Sequence, residues 1–225
     1  MTNQETIQRI INAVVTSINK PFVLPQAFDP SVFTWNDIDK YFNSPAHHST
    51  IELIGLNSYK IPLNRHPTPW DGRTYDLDQL FYSIINGFSF VLLSMSRRTE
   101  FFNQLCNQLE NLVDGHSDVH VYGGLTSYSK SFDIHQDNPN NLILQLDGES
   151  DWQVWNSQDL SNLGQPVINV KLVPGDIIYV PKKMCHLCRP LGKRISASIP
   201  FDTGPRTNRK WYSLANEQVA NYNML

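Results

Sequence analysis

The chain has 225 residues, 40% of them apolar and 11% aromatic, with a formal net charge of −3. That is enough chain for one large domain with a sizeable core, and a composition neither disordered nor basic, which argues against nucleic acid as a direct ligand. No apolar run approaches the ~20 residues of a bilayer span, the first residues lack the basic-then-apolar layout of a signal peptide, and three cysteines (Cys106, Cys185, Cys188) build no disulfide framework, so a soluble, cytoplasmic protein is expected.

Taken in chain order, the first half reads as helix-rich. Ile7, Ile10, Ile11, Val14, Val15 and Ile18 form one apolar stripe over residues 3–19, with Thr2 and Glu5 at capping-box spacing before it. The polar side of that stripe is rich in Gln and Asn, which favours core packing over a membrane surface. Thr34 is placed to cap a short helix through Phe42. Residues 55–75, with Pro62, Pro67, Pro69, Gly55 and Gly72, read as a long irregular connection. Asp76 opens a helix that ends at Gly87, Phe88–Met95 is an apolar run of strand length, and residues 98–113 return to helix, stopped by Gly115.

From residue 119 the texture changes. Short strand candidates follow at 119–122, 127–134, 141–147, 151–155, 167–172, 177–180, 184–188 and 194–201. Turn signals separate them, among them Gly123-Gly124, Asn138-Pro139, Asp147-Gly148 and Pro174-Gly175. This spacing predicts a mainly β fold with flanking helices, an all-β barrel or double-sheet jelly roll with the N-terminal helices packed outside. The expected organisation is a single domain over 1–225, with a helical support region at 1–118, the jelly-roll core at 119–201 and a tail at 202–225.

Two stretches carry chemistry. In Ile134-His135-Gln136-Asp137, strand alternation points His135 and Asp137 to one face, although an H-x-D is as readily a surface pair. In the second, Pro174-Gly175 makes a turn, an apolar strand follows, Pro181 ends it and His186 arrives five residues later. This G-x5-P-x4-H pattern resembles the second sequence motif of cupin barrels, in which the histidine faces the cavity. Together His135, Asp137 and His186 supply two imidazoles and one carboxylate, a facial set that leaves adjacent coordination positions open and suits non-haem Fe(II).

Residues from about 88 to 201 resemble the JmjC/cupin-like family of Fe(II)- and 2-oxoglutarate-dependent oxygenases, in the branch that holds the ribosomal-protein hydroxylases. The carrying stretches are Phe132-Asp133-Ile134-His135-Gln136-Asp137, Asn141 to Gly148, Asp151-Trp152-Gln153-Val154-Trp155 and Gly175 to His186. The resemblance implies Fe(II) on His135, Asp137 and His186, with 2-oxoglutarate and O2 as cosubstrates. It also implies a double-stranded β-helix (jelly-roll or cupin barrel) and hydroxylation of a C–H bond on a protein side chain, with a small molecule or short peptide left open. A homodimer is left open.

One position departs from the family pattern. The Lys or Arg commonly found two residues after the glycine equivalent to Gly148 is here Ser150, which cannot pair with a dicarboxylate. A substitute lies later: Arg194, Ser196 and Ser198 alternate with Ile195, Ala197 and Ile199. An Arg beyond the distal histidine followed by x-Ser is similar to other 2-oxoglutarate oxygenases that anchor the distal carboxylate from the last core strand; the alternative is a solvated basic turn at Lys193-Arg194. Asn141, Tyr122 and Tyr128 are lesser candidates to contact the cosubstrate.

Other residues read as structure. Cys185 and Cys188 lack the partners of a zinc site and read as small buried hydrophobes. Trp152 and Trp155 are expected to pack the sheet. His116 and His120 share no assured face, and His47-His48 reads as a solvated loop. The tail carries Arg206, Arg209, Lys210, Trp211 and Tyr212 and is open as a docking helix, a strap or a dimer contact. The rival functions are a cupin using another metal without 2-oxoglutarate, a non-catalytic binding barrel, and a sugar- or peptide-binding jelly roll in which the two histidines never meet.

Overall fold

The structure is a computed structural model that describes residues 2–44, 50–67, 73–129 and 132–204. Its elements begin with α1 (Asn3–Thr16), whose capping box is closed by Thr2 and Glu5. The stripe read from sequence is the buried one: Ile10 and Val14 are 0% exposed, each worth roughly 1.5–3 kcal/mol on burial. There follow β1 (Phe22–Leu24), α2 (Trp35–Phe42), β2 (Ile51–Ile54), β3 (Lys60–Ile61), β4 (Arg65–Pro67), β5 (Arg73–Tyr75), α3 (Leu77–Ile85) and β6 (Ser89–Leu92). The Thr34 N–H and hydroxyl both donate to Asp37 at the start of α2, and Asp76 accepts from the Gln79 N–H at the start of α3. Helix α4 (Glu100–Val113) buries Phe101, Phe102, Leu105 and Leu109.

The second half supplies β7 (Gly115–Ser117), β8 (His120–Gly124), β9 (His135–Gln136), β10 (Asn140–Asp147), β11 (Ser150–Val154), β12 (Ile168–Leu172), β13 (Ile177–Val180), β14 (Cys185–Pro190) and β15 (Arg194–Thr203). A large antiparallel sheet runs β1-β13-β10-β15-β8-β6-β2-β3, with β7 also on β15. A four-stranded sheet runs β12-β11-β14-β9. The two face each other across Ile143, Ile178 and Val180 on one side and Trp152, Val154 and Leu172 on the other. On its opposite face the large sheet lays Leu142, Leu144, Ala197 and Ile199 against the helices. The result is the expected jelly roll with helices outside. Among the described residues, no helix is long and apolar enough to cross a membrane.

The first half differs from a purely helical support: besides β6, which falls in the strand-length run Phe88–Met95, β1, β2 and β3 extend the large sheet, and β4 pairs with β5 inside the stretch read as irregular. Pairing of short strands far apart in sequence leaves little local pattern. Residues 127–134, read as a strand, instead begin with a turn closed by the Ser129 N–H donating to Thr126 O (3.1 Å). Gly123-Gly124, read as a turn, ends β8: a Cβ on Gly123 would lie 2.1 Å from Phe90 Cζ, so the glycine is there for close approach. His47-His48 and the tail beyond Gly204 lie outside the described residues.

Candidate metal centre

The second motif explains how His186 reaches its place. The Pro174-Gly175 turn, with Gly175 at φ +96°, returns the chain to β10: the Gly175 N–H donates to Gln145 O and the Gln145 N–H to Asp176 O, both at 2.9 Å. Strand β13 then pairs with β10 through Ile143↔Ile178. After Pro181 the Met184 N–H donates back to Pro181 O (3.2 Å), and the Lys183 N–H donates to Asp137 O (2.7 Å). That reversal moves the chain into the smaller sheet, where β14 pairs with β9 in the register His186↔His135.

The two histidines therefore face each other across an antiparallel pair, with ring centroids 4.3 Å apart. Asp137 follows β9 and closes the set: its Oδ1 lies 3.8 Å from His135 Nε2 and its Oδ2 3.5 Å from His186 Nε2. One ligand atom from each residue lies within 4.8 Å of the others, and among the described residues this is the one such group. Both rings are oriented alike. His135 Nδ1 donates to Asp133 O (2.8 Å) and His186 Nδ1 to Met184 O (3.0 Å). A carbonyl only accepts, so each Nδ1 carries the proton and each Nε2 offers its lone pair inward. This donor set fits a divalent metal of the Fe(II) type.

The electrostatics agree. Burial, then the neighbouring His186, holds His135 below the ordinary imidazole range, which keeps it neutral and able to ligate. Burial pushes the Asp137 carboxyl up, but contact with His186 and the hydrogen bond from Asn141 overcome it in the metal-free chain and hold the group at about 2. The carboxylate is oriented by a chain: Ser198 Oγ donates to Asn141 Oδ1 (2.8 Å), and Asn141 Nδ2 donates to Asp137 Oδ2 (2.9 Å).

A cavity opens beside the three ligands, lined also by Tyr122, Asn141, Trp152, Arg194, Ser196 and Ser198. Arg194 is 2% exposed; its Nη1 donates to Ser196 Oγ (2.9 Å) and its Nη2 to Ser129 O (3.2 Å). Burial, then the Asp137 charge, raises the Tyr122 phenol, which remains a proton donor. Ser150 is fully buried but is not among the residues lining this cavity; it donates to Gln145 Oε1 (2.8 Å) and accepts from Trp152 Nε1 (3.0 Å). Tyr128 is not brought to the site: it is 74% exposed, in the turn after β8, where strand alternation does not apply. Asn141 lines the cavity, but its amide is engaged by Asp137 and Ser198.

Three residues lie closer to the chemistry than their sequence reading. Trp152 stacks on His186 at 6.1 Å and 16°, and Phe132 packs on His135 at 5.3 Å. Alternation along β11, which buries Ser150, Trp152 and Val154 together, was the available signal for the tryptophan. Cys188 also lines the cavity, whereas Trp155 packs with Cys185 and Leu187 beneath it. A separate groove of about 640 Å³ is lined by Arg97, Asp118, His120 and Asp202. His120 of this groove pairs in register with Ser198, which lines the cavity, across β8 and β15.

The JmjC domain family matches residues 92–208 of this chain, over half its length. The chain belongs to the JmjC domain family. Over 145 residues it is 28% identical to the bifunctional lysine-specific demethylase and histidyl-hydroxylase NO66 of Drosophila pseudoobscura pseudoobscura, a match covering 59% of this chain and 15% of that one. Over 72 residues it is 32% identical to ribosomal oxygenase 1 of Rattus norvegicus, covering 26% and 12%. In structure it is similar to YcfD, a ribosomal oxygenase from Escherichia coli, with a TM-score of 0.56, 17% identity, and 90% of this chain against 53% of that chain. A YcfD structure in complex with cobalt and 2-oxoglutarate gives a TM-score of 0.54 at 19% identity, over the same 90% and 53%. The chain thus spans about half of YcfD and a smaller part of the curated relatives.

Proposed function

We propose that this JmjC chain is an Fe(II)- and 2-oxoglutarate-dependent oxygenase, a hydroxylase acting on a protein side chain or a small molecule. The observation that carries this reading is the meeting of His135, Asp137 and His186 in one cavity with the buried guanidinium of Arg194. The names of NO66 as a histidyl-hydroxylase and of YcfD as a ribosomal oxygenase support a protein side chain as the substrate.

When bound, iron and 2-oxoglutarate supply the oxygen-activating chemistry, with decarboxylation of the cosubstrate to succinate and CO2. The chain's own part is positioning. His135 and His186 would hold the metal through Nε2, kept in that tautomer by the carbonyls of Asp133 and Met184. Asn141 turns Asp137 toward it. Arg194 and Ser196 would hold the distal carboxylate of the cosubstrate, replacing the basic residue missing at Ser150. Tyr122 presents a phenol O–H to the cavity, and Trp152, Phe132 and Ile143 exclude water from it.

The test is succinate formation from 2-oxoglutarate by the purified chain with Fe(II) and O2. Succinate formed by the native chain and lost in His186→Ala supports the reading. No succinate, together with unchanged iron content in His135→Ala, overturns it. Ser150 favours a second reading, a metal-binding cupin without 2-oxoglutarate turnover; metal binding without any 2-oxoglutarate affinity would establish that one instead.

A further inference from the structure

The turn Thr126–Ser129, which follows β8, is seated between two glycines. A Cβ on Gly124 would lie 2.2 Å from Ser129 Cβ, and one on Gly87 3.2 Å from Thr126 Oγ1. Side chains at these positions would lift the turn from the sheet. The turn is closed on itself: besides the Ser129 N–H bond to Thr126 O, the Thr126 N–H donates to Ser129 Oγ (3.2 Å). Ser129 is 0% exposed, though it belongs to a loop.

What the turn holds is the Ser129 carbonyl. That oxygen accepts from the hydroxyl of Ser89, on β6, and from Nη2 of Arg194. The other terminal nitrogen of Arg194 donates to Ser196. The guanidinium is thus held by Ser196 on its own strand and, 65 residues away in sequence, by the Ser129 carbonyl that Ser89 braces. An arginine side chain has several rotatable bonds, and the entropy of ordering it works against any one position unless neighbours hold it.

The geometry points to Ser89 and the Gly124-seated turn as positioning residues that fix the Arg194 guanidinium and so set the length of dicarboxylate the cavity accepts. This rests on the reading of Arg194 as the anchor of the distal carboxylate. A guanidinium held in one place selects a keto diacid of one chain length, and a loosened one accepts the next homologue at the expense of the first.

The experiment is anaerobic calorimetry on the Co(II)-loaded chain with 2-oxoglutarate and with its six-carbon homologue 2-oxoadipate. It compares the native chain with Ser89→Ala, Ser89→Thr, Gly124→Ala and Arg194→Ala. Ser89→Ala and Gly124→Ala are each expected to weaken 2-oxoglutarate binding about tenfold. They are also expected to narrow its preference over 2-oxoadipate and to leave Co(II) affinity unchanged. Ser89→Thr, which keeps the donor, is expected to restore native values. Native 2-oxoglutarate affinity and preference in Ser89→Ala, alongside loss of binding in Arg194→Ala, overturns the positioning role and leaves the anchor standing. Native affinity in Arg194→Ala overturns both. Should Gly124→Ala fail to fold, the two Ser89 variants decide.

Discussion

His186 stands directly opposite His135 across an antiparallel strand pair, and both rings present Nε2 to the Asp137 carboxylate. The pairing of β14 with β9 that adds the edge strand to the smaller sheet is the same contact that brings the two imidazoles together.

Removing either imidazole leaves two ligands where three converge. His135→Ala and His186→Ala are each expected to lower Fe(II) or Co(II) affinity by at least about 100-fold while the chain stays folded, because neither ring belongs to the main core. Metal content after dialysis, set against circular dichroism, checks this. Native metal content in either variant contradicts it.

Asn141 acts through Asp137. Replacing it by Ala frees the Asp137 carboxylate to rotate and leaves Ser198 without its amide partner. Metal affinity is expected to fall roughly 10- to 100-fold, the usual cost of losing a group that orients a ligand. Asn141→Asp, which places a second negative charge beside Asp137, is expected to raise the Asp137 pKa. A metal titration followed as a function of pH reports both effects.

Acid stability should carry the mark of His120. Burial holds its imidazole below the ordinary 6.5 in spite of nearby Asp118. The unfolded chain therefore takes up the proton first. Stability from this group is fully present above pH 6.5 and is lost as the pH falls through the lower, folded value. His135, lowered in the same direction, adds to the loss in the metal-free chain. Urea midpoints measured between pH 7.5 and 5 should fall less steeply in His120→Gln than in the native chain, and equal slopes would show that His120 takes no part.

Gly123 is kept by the ring beneath it. Its missing Cβ would sit 2.1 Å from Cζ of Phe90, itself 0% exposed. Gly123→Ala is expected to destabilise the fold by about 1–3 kcal/mol, and Phe90→Leu in the same chain to return part of that. Thermal melts of the two single variants and the double variant test the coupling.

Much of this architecture was legible because its signals are local. The α1 stripe, the Asp76 cap, the apolar runs of β10 and β13 and the alternation of β15 each lie within one element, and both histidine stretches fall within short windows. What failed depends on distant partners. Strands β2 and β3 are short, and only their pairing with each other and with β6 makes them part of a sheet. The glycines of β8 look like a turn until Phe90 and Ser129 are seen against them. Tyr128 lay in the strand read over 127–134, and the turn at Thr126 begins that span instead. The cavity-facing role of Trp152 needed His186 from another strand before its ring had a partner.

The account is tested most directly by the structure of the chain soaked anaerobically with Fe(II) and 2-oxoglutarate. It predicts one metal ion on Nε2 of His135 and His186 and on Asp137, with the cosubstrate chelated there and its far carboxylate on Arg194 and Ser196. A metal bound elsewhere, or a cosubstrate whose far carboxylate points away from Arg194, contradicts it.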